Sequence, residues 1–323
     1  MYKLDIKDRK ILYELDLNCR QSNAQIGKKV GLKRDVIGYR IKKLQDNGII
    51  KMFYTVINAY KLGYHVFRFY LNFQYVTTDI KNKIIEYLVK DKRTWAVGSV
   101  IGRYDLSVVV WIKDFRNFYQ FWEKMLDKYG DYFAKKIFSI YVQAFSYRQS
   151  FLLLNEYKKS DRLDYEIIGV GKTVKIDDLD YEILDKIALN ARKPLVELAE
   201  ELNSSSHTIT YRIKNLIKLG VIQAFRVSID LSKLELKHFK IDIYLKEHTQ
   251  RKHIIDYIKY NPNLTFIATS AGVSDLELEF DLKDSNKLMA IMEDINSKFP
   301  GAIRNYDYFN LSHFYKVRCL PEI

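Results

Sequence analysis

Tyr39-Arg40-Ile41-Lys42 returns intact as Tyr211-Arg212-Ile213-Lys214, an offset of 172 residues. Outward from that tetrapeptide, Leu4 to Leu62 aligns with Ile176 to Leu234 without a gap, and nearly a third of the aligned pairs are identical. The chain therefore carries one module of roughly 60 residues twice. In the first copy Asp5 caps a helix whose Ile11, Leu12, Leu15 and Leu17 keep helical spacing up to Asn18. Ser22, with Gln25 three residues on, opens a short second helix that Gly31 ends. Arg34 to Asn47 reads as a third helix with Val36, Ile37, Ile41 and Leu44 inward and Gly48 as its left-handed cap. Ile49 to Ile57 is rich in β-formers and is expected to make a small wing. Three helices with a tight turn before the third, then a β segment, form the pattern of a winged helix-turn-helix.

On that pattern the third helix meets DNA. Lys33, Arg34, Asp35, Tyr39, Lys42 and Lys43 lie off its apolar stripe, with Gly38 making room for close approach. Arg40 is expected to brace the helix or contact the DNA backbone, and Lys51 to touch a phosphate from the wing. The second copy keeps the frame in Asp177, Ile183, Leu184, Leu198, Ile209, Ile213, Leu216 and Gly220, with Pro194 in the first turn of its second helix. Its surface differs, because Ser205-Ser206-His207 replaces Lys33-Arg34-Asp35. Ser206, His207, Thr210, Tyr211, Arg212 and Lys214 form the corresponding, weaker DNA-facing set.

Charge follows the same division. The net charge of +13 favours a polyanionic partner, and it is concentrated: residues 1–160 hold 30 basic and 15 acidic side chains, residues 161–323 hold 23 and 25. The first module alone has 13 basic against 6 acidic groups over residues 1–58, the second 8 against 9 over residues 173–231. The first is thus the expected main DNA reader.

After each module come about 90 residues in the order βαββαβ, a split βαβ sandwich with helices on one face of an antiparallel sheet. In the first half the strands fall at His65 to Val76, within Thr94 to Ile112, and at Ile137 to Tyr147, with helices at Ile80 to Val89 and Phe115 to Tyr129. The second half repeats them at His238 to Leu245, around Gly272 to Asp275, and from Tyr306 to Lys316, with helices at Lys252 to Lys259 and Asn286 to Lys298. The fold class is α+β: winged helix-turn-helix at 1–60, βαββαβ ferredoxin-like domain at 61–154, linker at 155–175 containing Gly169-Val170-Gly171, second winged module at 176–234, second βαββαβ domain at 235–323.

Catalytic signals are sparse. No Gly-rich phosphate loop, nucleophile elbow or metal-ligand cluster is present, and no cofactor or metal is expected. Cys19 and Cys319 have no zinc or disulfide spacing, and His65, His238, His248, His253 and His313 show no convergent spacing. Met1 to Asp5 lacks a signal-peptide run and no long apolar stretch occurs, so a cytoplasmic location is expected and no membrane partner.

A winged helix followed by βαββαβ, with Gly-x-x-Asp between the middle strands, resembles the Lrp/AsnC (feast/famine) family of prokaryotic transcription regulators. The resemblance rests on Asp5 with Asp8, Ile11-Leu12, Asn18 with Arg20, Arg40-Ile41, Leu44, Gly48-Ile49-Ile50 and Gly102 to Asp105. It recurs in Asp177 with Asp180, Ile183-Leu184, Asn190 with Arg192, Arg212-Ile213, Leu216, Gly220-Val221-Ile222 and Gly272 to Asp275. The composition, rich in Ile, Lys and Tyr, fits an archaeal source. The resemblance implies a regulator of double-stranded DNA whose βαββαβ domains, called RAM domains, pair sheet to sheet and bind small effectors, often amino acids. Ser99, Ile101, Gly102, Tyr104 and Asp105, with Ser270, Gly272, Ser274 and Asp275, are where an effector would sit, although Gly-x-x-Asp is first of all hairpin chemistry. The chain departs from the usual member by being a fusion, so its sheets either pair within the chain as a pseudo-dimer or join chains into a homo-oligomer. Two other functions stay open: an architectural protein that coats DNA without sequence preference, and an enzyme, because siroheme decarboxylases resemble this arrangement. Against the enzyme, Thr94 to Asp105 has no tetrapyrrole-handling motif beyond Arg103.

Overall fold

The computed structural model describes residues 3–169 and 171–321; Met1, Tyr2, the linker's Val170, and Glu322 and Ile323 at the end of the second βαββαβ domain fall outside the described residues. The first half runs α1 (Ile6–Leu17), α2 (Asn23–Val30), α3 (Arg34–Asp46), β1 (Ile50–Ile57), β2 (His65–Phe73), α4 (Thr78–Lys90), β3 (Thr94–Ile101), β4 (Leu106–Ile112), α5 (Phe115–Tyr129) and β5 (Phe133–Tyr147). After β6 (Asp164–Ile168) the second half repeats it: α6 (Asp178–Ala188), α7 (Leu195–Glu201), α8 (Ser206–Lys218), β7 (Ile222–Ile229), β8 (Lys237–Leu245), α9 (Arg251–Ile258), β9 (Leu264–Ala271), β10 (Leu276–Leu282), α10 (Ser285–Lys298) and β11 (Ile303–Val317).

The helix starts follow their caps. Asp5 and Asp8 close one reciprocal capping box, Ser22 and Gln25 another, and Gly31 ends α2 with φ at 72°. The expected wing does not form. β1 carries no turn residues that would fold it into a hairpin, and it pairs antiparallel with β7 of the other module. The register sets Tyr54 opposite its own equivalent, Arg226, with Phe53 opposite Val227 and Thr55 opposite Phe225. A pseudo-twofold axis therefore passes through the Tyr54–Arg226 pair.

The grip around that axis is reciprocal. Arg20 Nη1 donates to the Ala191 carbonyl at 2.6 Å, and Arg192 Nη1 donates to the Cys19 carbonyl at 2.7 Å. Each guanidinium also lies over the other module's aromatic ring, Arg20 over Phe225 at 5.5 Å and Arg192 over Phe53 at 5.3 Å. Behind them Ile11, Leu12, Leu15, Ile37 and Leu44 share one core with Ile183, Leu184, Ile209 and Leu216. The two modules are a single helical body.

The two βαββαβ units close on each other as well. Strand order β2-β4-β3-β11-β8-β10-β9-β5, with β5 pairing back to β2, makes an eight-stranded barrel from both halves. The helices pack on its outer faces over Phe67, Phe69, Val108 and Val110 in one half and Ile241, Ile243, Leu278 and Phe280 in the other. Pairing between the sheets is therefore within the chain. The linker is more than a spacer: the alternating Asp164-Tyr165-Glu166-Ile167-Ile168 forms β6 on the edge of β5.

Asp16 ties the helical body to the barrel. Fully buried, it accepts from the Gln149 N–H at 2.7 Å and from Arg226 Nε at 2.8 Å, while Arg226 reaches the Tyr147 carbonyl at 2.8 Å. Burial opposes the Arg226 charge, but Asp16 outweighs it and holds the guanidinium protonated. Phe151 and Leu152, after β5, and Leu320, after β11, bury themselves in the helical core.

Candidate nucleic-acid interface

The third helix of the first module presents what a DNA groove requires. Lys33, Arg34, Asp35, Tyr39 and Lys42 are exposed, and the half-buried Lys43 has its ammonium 5.9 Å from the centre of the Tyr39 ring. Arg40 points away from this face. Its Nη1 bonds Asp5 at 2.8 Å and Asp8 at 2.7 Å, pinning α3 to the start of α1, so its role is bracing. Arg212 does the same in the second module, joined to Asp177 and lying 3.2 Å from Asp180.

Two of the expected contact residues have neighbours within the protein. A Cβ on Gly38 would come within 3.0 Å of the Asn23 side chain, so the close approach this glycine permits is of α3 to α2, not of DNA. Lys51 lies exposed in β1, not on a wing hairpin, near Asp230 of the other module; burial raises the Asp230 carboxyl, but Ser232 and Lys51 outweigh it and hold it below its ordinary value.

The second module's helix α8 repeats the frame with a weaker surface. His207, Tyr211 and Lys214 are exposed, Ser206 is half-buried, and the Thr210 hydroxyl is spent on the Ser206 carbonyl at 2.7 Å. Ser205 caps the helix by accepting from the Thr208 N–H at 3.0 Å, whereas Lys33 gives α3 no side-chain cap. The preceding helices differ more sharply, since Lys28 and Lys29 on α2 are matched by Glu200 and Glu201 on α7.

The Gly-x-x-Asp turns close the seams of the barrel. Gly102, at φ 136°, leaves only 3.1 Å between a would-be Cβ and Phe309, and Gly272, at φ 125°, only 2.6 Å to the Phe138 carbonyl oxygen. Asp105 accepts from the Phe73 N–H and Asp275 from the Leu245 N–H, each at 2.8 Å. Tyr104 is buried and stacked on Tyr70 at 4.3 Å, Ser274 is buried, and the Ser99 hydroxyl meets Tyr315 at 2.8 Å.

Sequence reasoning missed a charged network inside the barrel. Arg68 on β2 reaches Glu277 at 3.1 Å and Glu279 at 3.4 Å on β10; Tyr141 donates to Glu277 at 3.0 Å, and Lys240 joins the same carboxylate. Burial alone would raise Glu277, yet Lys240 and Arg68 hold it low. His238 sits between Asp281 at 2.7 Å and Glu279 at 3.2 Å; burial pulls its pKa down, but the two carboxylates push it to about 10. Glu279 is correspondingly held at about 2 against its own burial. The signal was the strict polar–apolar alternation of Lys237 to Leu245 and Leu276 to Leu282, which reads as a solvated face but faces the other sheet.

Comparison with known proteins bears on both halves. The family model for winged helix-turn-helix DNA-binding matches residues 4–51 and again 176–223. An HTH-type transcriptional regulator of Pyrococcus horikoshii is 35% identical over 115 residues, 36% of this chain and 74% of the relative. The HTH-type transcriptional regulator LrpC of Bacillus subtilis is 25% identical over 129 residues, 40% of this chain and 88% of the relative. Over its whole length the chain is similar in fold to the siroheme decarboxylase NirDL, with a TM-score of 0.64, 11% identity and 98% and 94% of the two chains covered.

Proposed function

The chain belongs to the Lrp/AsnC family of helix-turn-helix transcriptional regulators, in a tandem form, and from that premise we propose that it regulates by reading double-stranded DNA chiefly through the first module. The observation that carries this reading is the division of labour on α3: Arg40 is consumed by Asp5 and Asp8, leaving Arg34, Tyr39 and Lys42 outward on a basic surface. Arg34 and Tyr39 read base edges and Lys42 neutralises a phosphate. The barrel holds the halves together, and a small effector such as an amino acid acts at the seam turns, by Ser99 and Gly102 or by Ser270 and Gly272. The site of action is the cytoplasm; among the described residues no helix is long and apolar enough to cross a membrane.

Affinity selection of sheared genomic DNA by the purified chain at near-physiological salt tests the reading. A recovered sequence motif supports it, and broad recovery without a motif favours the architectural alternative. Replacing Lys42 with Ala should weaken binding to all sequences and flatten the salt dependence by about one unit. The whole-chain likeness to NirDL motivates an enzymatic second reading. It requires a tetrapyrrole added to the protein to shift its Soret absorbance, and an unshifted spectrum removes it.

A further inference from the structure

The two recognition helices are alike at one level and unlike at the next. Tyr39 and Tyr211 hold equivalent positions and are 66% and 65% exposed, with Lys42 and Lys214 exposed in turn at the matching place. Toward the helix N-termini, where helix-turn-helix proteins meet base edges, Lys33-Arg34-Asp35 stands against Ser205-Ser206-His207. The preceding helix, which crosses the DNA backbone in such docking, is lysine-bearing in one module and glutamate-bearing in the other. Lys28 is exposed where Glu200 is exposed, whereas Lys29 is paired with Glu14 at 2.7 Å and Glu201 with both Lys186 and Lys193, so the net contrast lies at Lys28 and Glu200. The β1–β7 ribbon and the Arg20 and Arg192 clamps relate these unequal surfaces by a pseudo-twofold axis, the symmetry that two inverted half-sites also have.

We propose that the cognate DNA is a directional operator, with two inverted half-sites that share the bases beneath Tyr39 and Tyr211 but differ at the bases met by the helix N-termini. The inference rests on the reading of the chain as a DNA-binding regulator. In the first half-site Arg34 takes a guanine through its O6 and N7 acceptors while Lys28 neutralises a flanking phosphate. In the second, His207 makes a single weaker base contact, and Glu200 keeps the backbone contact loose. Because both readers are on one chain, the protein sits on its site in one orientation, which a true homodimer on a palindrome cannot do.

The test is selection from a randomised duplex library by the full chain at near-physiological salt, repeated with Arg34→Ala and with His207→Ala, both exposed positions. The expected result is a motif of two inverted, unlike half-sites. Arg34→Ala should erase base preference in one half only and lower affinity about 10-fold, with His207→Ala acting less and on the other half. Replacing the second half-site by an inverted copy of the first should weaken binding by a similar factor. A perfect palindrome, or a motif confined to one half and indifferent to His207→Ala and Tyr211→Ala, overturns the inference while leaving the regulator reading intact. Failure of the unmodified chain to select any motif overturns both.

Discussion

Arg20 and Arg192 are equivalent residues with equivalent duties, whereas Arg68 and Lys240, equally equivalent in the repeat, have parted company. The first pair reaches across the pseudo-axis to the same carbonyl in the opposite module, and Arg192 adds a bond to the Asn23 side chain at 3.2 Å. In the barrel, Arg68 crosses to the second sheet, while Lys240 stays on its own sheet with Glu277 and Asp242. The positions around them have diverged in step: Val66, Tyr70, Ser107, Val109 and Trp111 on the first sheet correspond to His238, Asp242, Glu277, Glu279 and Asp281 on the second. Where the modules grip each other symmetry is kept, because both bonds serve one contact. Where the sheets face each other it has been traded for complementarity, since a face bearing four carboxylates is a poor match for its own copy and a good one for Arg68 and Tyr141.

The comparison breaks most visibly at Arg68. Changing it to Met leaves Glu277 and Glu279 short of a buried counter-charge, and denaturant titration should register a loss of about 3–5 kcal/mol. A loss below about 1 kcal/mol would mean the two sheets do not depend on that crossing charge. Next comes pH. The folded pKa of His238, about 10, stands above its ordinary 6.5, so its stabilisation is complete below about 6.5 and is lost as pH rises through about 10. Melting temperature should therefore fall between neutrality and pH 10 in the native chain, and the fall should shrink in His238→Asn. At the helical axis the effects should be similar and smaller: Arg20→Ala and Arg192→Ala are each expected to cost about 1–3 kcal/mol, with Arg192 toward the upper end because it also bonds Asn23. Strongly unequal costs would show that the axis is symmetric in geometry alone. The mildest change sharpens the contrast between α2 and α7, where Glu200→Lys, at an exposed position, should steepen the salt dependence of DNA binding by about one unit without altering the fold.

Much of this architecture was readable from local signals. The capping pairs Asp5/Asp8 and Ser22/Gln25 and the glycine at 31 announce helix ends within a few residues of themselves, and the structure keeps them. What escaped reading depends on residues far apart in the chain. Nothing near Ile50 says that its strand partner is Ile229, and an unpartnered β-rich segment after a recognition helix reads naturally as a wing. Alternation in Leu276 to Leu282 identifies a strand with one polar face but not what covers that face. Arg40 is ambiguous in the sequence for the same reason, because its partners Asp5 and Asp8 lie more than 30 residues before it. Arg226, the fully buried link between helical body and barrel, follows from no local pattern; its equivalent in the first module is Tyr54.

That both modules and both sheets meet inside one covalent chain changes the genetics of the protein as much as its shape. Two subunits that must find each other assemble with a second-order dependence on their amount, whereas halves joined by a tether of some 20 residues see each other at effective concentrations near millimolar however few molecules are present. The paired modules and the closed barrel should then form independently of dosage, even at a handful of copies.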